Sequence, residues 1–102
     1  MAAYLIAGND VTDPKIMEKY VEVAGPTLEP YGARLLAPSM TNIVMGGPVA
    51  HKEGPWKPSR VVIIEFPSMD KALAWYNSPA YQSAMKLRLK GSVGSLLFAD
   101  GA

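Results

Sequence analysis

The single histidine of the chain, His51, has the side chain best suited to moving protons near neutral pH. Histidine has an unperturbed pKa of about 6.5, which lies between those of the carboxylates and those of the amines. His51 lies in segment 46–58, which contains three glycines and three prolines and is predicted to be a long loop. We interpret His51 either as the general base of an enzyme, carried on a lid, or as a solvent-exposed residue without a role.

Two charged residues, Glu65 and Arg88, lie within apolar sequence and are expected to be partly buried. Glu65 follows the apolar run Val61–Ile64 of a predicted strand, and Arg88 lies on the apolar stripe of a predicted helix. A buried charge needs a partner, and a guanidinium can bind a carboxylate through two parallel hydrogen bonds. The sequence therefore predicts an internal Glu65–Arg88 ion pair, with the alternative that these residues are catalytic groups at the floor of a pocket.

Five further residues are candidates for binding a substrate. Asn9 and Asn42 are polar residues within apolar strands, and their amides suit either a ligand carbonyl or the bridging of an irregular strand pair. The rings of Trp75 and Tyr81 could enclose a flat ligand, although their helical spacing is equally typical of core packing. Trp56 lies in the loop, where its large ring needs a surface to cover, either a partner subunit or a pocket mouth.

The elements that would position these residues follow the order βαββαβ in one domain spanning residues 1–102. Thr12-Asp13-Pro14 and Ser78-Pro79 each place a capping side chain before a proline at the start of a helix. Gly25-Pro26 interrupts the first helix, and Asn77-Ser78-Pro79 restarts the second one. The predicted strands are Tyr4–Val11, Ala33–Ala37 with a continuation over Thr41–Met45, Arg60–Phe66 and Val93–Ala99.

This order is typical of an α+β ferredoxin-like sandwich, in which two helices cover one face of a four-stranded antiparallel sheet. The strand Arg60–Phe66 carries four consecutive apolar β-branched residues, so both of its faces are apolar. An apolar sheet face without helices would leave a large patch in water. We therefore predict a homodimer that pairs through the sheet faces, as in a dimeric α+β barrel.

Composition excludes several classes of function. The net charge of +1 gives no electrostatic footprint for nucleic acid, and the apolar start of the chain is too short to span a membrane. Without cysteine and with one histidine, the chain is poorly supplied with metal ligands, and it lacks the glycine-rich motifs that bind nucleotides. We expect a cytoplasmic protein that uses no cofactor.

Three segments resemble a known family: WKPSR at Trp56–Arg60, IEFPSMDKALAWYNSPAYQ at Ile64–Gln82 and MKLR at Met85–Arg88. They are similar to the small bacterial proteins of domain-of-unknown-function family thirteen-thirty, in the dimeric α+β barrel superfamily. The resemblance implies the fold and the sheet-to-sheet dimer. Similar barrels host cofactor-free oxygenases, haem-dependent enzymes, isomerases and polyketide cyclases. The chain departs most from the family pattern over Pro38–Gly54, where a longer loop contains His51.

We therefore expect a mostly apolar pocket between sheet and helices that binds or transforms an aromatic or polyketide-like metabolite. In a cofactor-independent enzyme His51 would move a proton, while Asn9, Asn42 or Arg88 would stabilise negative charge on a carbonyl oxygen. The alternative is a non-catalytic module that only binds a ligand or a partner. An enzyme requires His51 and a polar strand residue at one cavity. The loop itself is expected to be a lid or an inter-subunit clasp.

Overall fold

The computed structural model describes residues 1–37 and 47–101, and the predicted candidate Asn42 lies outside them. Short 3₁₀ turns over Gly25–Thr27 and Glu29–Tyr31 follow the first helix, as the Gly25-Pro26 interruption predicts. The strands are β1 (Ala3–Val11), β2 (Arg34–Ala37), β3 (Gly47–Pro48), β4 (Arg60–Phe66) and β5 (Ser92–Asp100), and the helices are α1 (Pro14–Ala24), α2 (Met69–Tyr76) and α3 (Pro79–Gly91).

Each helix begins at a capping side chain that the sequence identifies. The Asp13 carboxylate accepts hydrogen bonds from the backbone N–H groups of Lys15 and Ile16, and Pro14 occupies the first turn of α1. Ser68 and Ser78 accept bonds in the same way at the starts of α2 and α3. These caps satisfy N–H groups that have no partner within the helix, which fixes where each helix begins.

The strands form one antiparallel sheet in the order β2-β4-β1-β5, which confirms the predicted ferredoxin-like fold. The short strand β3 pairs with β4. It is a small correction to the expectation that the loop 46–58 has no regular structure. Its residues Gly47 and Pro48 pair with Val61 and Arg60, so they extend the sheet beside the first residues of β4.

The two faces of the sheet differ in what covers them. Alternate residues are buried, namely Ala3, Leu5, Ala7 and Asn9 of β1 and Val62, Ile64 and Phe66 of β4, whereas their neighbours along each strand are mostly half-buried. The buried set faces the helices and forms the core with Phe66, Trp75 and Tyr81. The other set, together with the exposed Val93 and Leu97 of β5, forms a face without helices, which we call the outer sheet face.

Candidate functional site

A small cavity lies between the inner face of the sheet and the helices. Residues from β1, β4, β5 and all three helices line it, and most of the lining is apolar. It leaves about 30 Å³ for the centres of water molecules. A space of that size holds about two water molecules, so a larger ligand requires the lining side chains to move apart. The lining residues used below are Asn9, Met17, Tyr20, Trp75 and Arg88.

Arg88 brings a positive charge into this apolar cavity. It lies in the last turn of α3, its residue surface is only 8% exposed, and its Nε–H has no hydrogen-bond partner. Among residues 1–37 and 47–101, no carboxylate forms an ion pair with it. A guanidinium stays protonated in proteins, so an unpartnered one in an apolar site is costly unless an anion joins it.

Asn9 places a polar group on the strand side of the same cavity. Its side chain lies on the helix-facing side of β1, it is 7% exposed, and its Oδ1 accepts no hydrogen bond. Asn9 pairs with Gly94 of β5, where a Cβ would lie 2.8 Å from that Oδ1 and would also clash with the carbonyl oxygen of Gly8. The glycine therefore leaves room for the amide, whose oxygen can accept a bond from a ligand.

Tyr20 of α1 is a third polar residue in the lining, and its hydroxyl lies 3.1 Å from that of Tyr81. Burial raises the pKa of Tyr20 well above its usual value, and the neighbouring Tyr81 raises it further, although the positive charge of Arg88 lowers it. The Tyr20 phenol is thus neutral throughout the physiological range. The sequence did not mark it as a site residue, because a tyrosine on the apolar stripe of a helix is ordinary in a core.

Trp75 and Tyr81 are core residues that support the cavity. Their ring centroids lie 4.0 Å apart, and Trp75 also packs against Phe66 at 5.5 Å. The Trp75 indole N–H donates to the Thr27 hydroxyl at 2.9 Å. Both side chains are almost fully buried, and Trp75 presents part of its surface to the cavity. As substrate-binding residues they remain a proposal, with Trp75 in the wall and Tyr81 acting through Tyr20.

The predicted Glu65–Arg88 ion pair is wrong. Glu65 lies on the outer sheet face, where the Arg34 guanidinium contacts its carboxylate at 2.8 Å and the Tyr4 hydroxyl donates to it at 3.4 Å. Arg88 lies on the other side of the sheet, in the helix layer. Side chains alternate between the faces of a strand, so the residue before Phe66 points away from the core that Phe66 enters. Glu65 therefore belongs to no site with Arg88.

His51 and Trp56 are not among the residues that line the cavity. His51 is exposed, and its Nε2 lies 2.8 Å from the Gly54 carbonyl oxygen within its own loop. The Trp56 ring covers Gly8 on the outer sheet face, where any Cβ would lie 2.7 Å from the indole. His51 therefore does not converge with a polar strand residue on this cavity, and Trp56 lies against the opposite face of the sheet.

A second depression, open to solvent, adjoins the cavity. An open groove between α1 and β2 shares Val21, Gly25 and Leu28 with the cavity wall. Glu22 and Glu29 also line this groove. Since Gly25-Pro26 ends α1 there, the wall between groove and cavity consists of short 3₁₀ turns rather than continuous helix.

Within residues 1–37 and 47–101, no group of three or more carboxylate or histidine side chains is placed to hold a metal ion. None of the helices there is long and apolar enough to cross a membrane.

Comparison with known families agrees with this fold. The family described as "Domain of unknown function (DUF1330)" matches residues 2–102. The chain belongs to this family. A search of the curated proteins gives no significant match.

Solved structures share the fold at low sequence identity. The RPA0582 protein of unknown function from Rhodopseudomonas palustris is 17% identical, with a TM-score of 0.70 over 99% of this chain and 82% of its own. SnoaB, a cofactor-independent oxygenase from Streptomyces nogalater, is 11% identical, with a TM-score of 0.65 over 99% and 93%. A dimeric protein of unknown function and ferredoxin-like fold from Bacteroides fragilis is 11% identical, with a TM-score of 0.60 over 98% and 96%. At these identities the likeness concerns the fold alone.

Proposed function

We propose that this DUF1330 protein is a homodimer that binds a small anionic aromatic compound in the cavity of each protomer. The observation that carries the proposal is the pair of unsatisfied polar atoms, Arg88 Nε and Asn9 Oδ1, in the wall of one apolar cavity. Buried polar groups in proteins are nearly always hydrogen-bonded, so these two atoms favour an occupant of the cavity that accepts from Arg88 and donates to Asn9.

The chemistry of the lining defines the ligand. The N–H of Arg88 calls for an acceptor, best an oxyanion, because hydrogen bonds between two charged groups are about twice as strong as neutral ones. The Asn9 oxygen calls for a donor such as a hydroxyl. The walls formed by Met17 and Trp75 suit a ring, which would enter by moving these lining side chains apart. A single aromatic ring with a carboxylate and a hydroxyl meets all three requirements.

The binding test compares benzoate with benzamide, which has the same shape without the charge. We expect calorimetry to show tighter binding of benzoate, and a still higher affinity for one of the three hydroxybenzoate isomers, whose hydroxyl reaches Asn9.

Arg88→Met should weaken benzoate binding by about 10–100-fold, since a hydrogen bond to a charged group contributes about 1.5–3 kcal/mol. Lys90→Met, which removes an exposed charge from the same helix, is the matched control and should leave the affinity unchanged. Equal binding of benzoate and benzamide would contradict the proposal.

Catalysis without a cofactor is the second candidate, and the Arg88 guanidinium and Tyr20 hydroxyl support it. Two donors at one cavity can stabilise the negative charge that develops on a carbonyl oxygen during isomerisation, cyclisation or oxygenation. His51 does not line the cavity, so the substrate itself would have to lose its proton readily. To test this candidate, each bound compound is incubated with the protein in air, and mass spectrometry follows whether a product forms. A product supports catalysis, and an unchanged compound supports binding alone.

The outer sheet face supports the homodimer. Val93 is 67% and Leu97 42% exposed there, and the half-buried Ile6 and Ile63 lie between them and the β2 edge. Trp56 continues this apolar surface above Gly8 and remains 45% exposed. A second copy of the same face would cover these residues, and the position of Trp56 favours the clasp over the lid.

Light scattering at micromolar concentration should give about twice the chain mass of 11.0 kDa. Trp56→Ala should raise the dimer dissociation constant about tenfold or more, because aromatic anchors at an interface contribute most of its binding energy. Leu89→Ala is the control, since Leu89 is 62% exposed on the helix side. A protein that stays monomeric, or a Trp56→Ala variant that dimerises like the control, would contradict the arrangement.

A further inference from the structure

The Tyr20 and Tyr81 hydroxyls share one hydrogen bond, and counting their hydrogens assigns its direction. Each hydroxyl carries one hydrogen and can accept two bonds. Tyr81 is 0% exposed, and Tyr20 is the only partner for its hydroxyl among residues 1–37 and 47–101. If Tyr20 donated to Tyr81, the Tyr81 hydrogen would be buried without an acceptor, which is costly. The favourable arrangement has Tyr81 donating and Tyr20 accepting.

This direction leaves the Tyr20 hydrogen free at the cavity. Tyr20 lines the cavity, whereas Tyr81 is not among the lining residues. Arg88 is near enough that its charge lowers the pKa of Tyr20, but burial outweighs that effect and keeps the phenol neutral. Because Tyr20 accepts from Tyr81 and keeps its own hydrogen, it can add a second hydrogen-bond donor to the cavity beside the guanidinium.

We propose that the Tyr20 hydroxyl, oriented by Tyr81, is the second donor to the anionic oxygens that Arg88 binds, and that the ligand is therefore a carboxylate. This inference rests on the proposed function and makes its ligand more specific. A carboxylate has two oxygens and can accept from two separate donors at once. A phenolate would have to accept both bonds on a single oxygen, and benzamide presents one carbonyl oxygen next to N–H hydrogens that the two donors would repel. The site thus selects a carboxylate at one end and a hydroxyl, facing Asn9, elsewhere on the ring.

The direction of the tyrosine hydrogen bond can be measured without a ligand. In protein labelled with ¹³C at tyrosine Cζ, NMR follows the exchange of each hydroxyl hydrogen with water. The Tyr81 hydrogen, buried and donated to Tyr20, should exchange slowly, and the Tyr20 hydrogen should exchange faster. The reverse order would overturn the assignment.

The role in binding is tested by two matched variants. Tyr20→Phe should weaken benzoate binding by about 10–100-fold and benzamide binding by less than about tenfold, because a hydrogen bond to a charged oxygen is about twice as strong as one to a neutral oxygen. Tyr81→Phe removes a hydroxyl from the same pair but leaves the Tyr20 hydrogen in place, so its benzoate affinity should change by less than about threefold.

The outcomes separate the two proposals. If the unmodified protein binds none of the carboxylates, the proposed function fails, and the exchange measurement still decides the tyrosine assignment. If the unmodified protein binds benzoate and Tyr20→Phe binds it equally well, only the role of Tyr20 is overturned. Equal losses in Tyr20→Phe and Tyr81→Phe would also overturn it, because they would indicate that the pair acts through packing.

Discussion

Replacing Trp75 by alanine is expected to lower the free energy of unfolding by about 3–5 kcal/mol, the range for a large aromatic side chain removed from a core. Trp75 is 2% exposed, packs against the rings of Phe66 and Tyr81, and donates its indole N–H to Thr27. Its removal would enlarge the cavity and leave the Thr27 hydroxyl without that donor. Urea denaturation at a fixed protomer concentration measures the change.

The control for this variant is Leu73→Ala, which truncates an apolar residue on the solvent side of the same helix. Leu73 is 42% exposed, so its loss should cost about 1 kcal/mol or less. Similar losses for the two variants would show that the α2 helix is not anchored to the core by Trp75.

Replacing Arg88 by methionine is expected to have opposite effects on stability and on binding. Methionine has a similar length and no charge, so it removes the cost of a buried guanidinium that lacks an acidic partner. The free energy of unfolding should stay the same or rise by about 1–3 kcal/mol, while benzoate binding weakens by about 10–100-fold. A residue that reduces stability in the free protein is typical of a functional site.

Thermal and urea denaturation without ligand check this prediction, with Lys90→Met as the control for losing a charge from α3. A marked loss of stability in Arg88→Met, beyond that of Lys90→Met, would contradict it. Such a loss would show that the guanidinium contributes structural bonds, as the predicted ion pair had required.

The sequence predicted the fold well because its signals are local. The four β-branched residues of Arg60–Phe66 define β4 with its observed bounds, and Ser78-Pro79 marks the start of α3 through a cap that needs only neighbouring residues. Strand alternation also placed Glu65 on the face of Ile63. It did not show which face meets the helices, and that ambiguity allowed the incorrect pairing with Arg88.

The candidate site was predicted only in part because its residues are far apart in the chain. Asn9 and Arg88 were identified singly, as polar residues in apolar elements, and the fold brings them to one cavity. The role proposed for Tyr20 depends on its contact with Tyr81, which lies 61 positions later, and no local sequence pattern predicts that contact. His51 was favoured for its chemistry alone, and the loop that carries it lies away from the cavity.

The most direct test of a carboxylate site at Arg88 is a titration followed at the arginine Nε–H groups by ¹⁵N NMR. The chain has three arginines, Arg34, Arg60 and Arg88, so the Arg88 signal can be assigned by its loss in Arg88→Met. We expect the Arg88 signal to shift and saturate as benzoate is added, with the Arg34 and Arg60 signals unchanged. An Arg88 signal that does not move at any benzoate concentration would contradict the account.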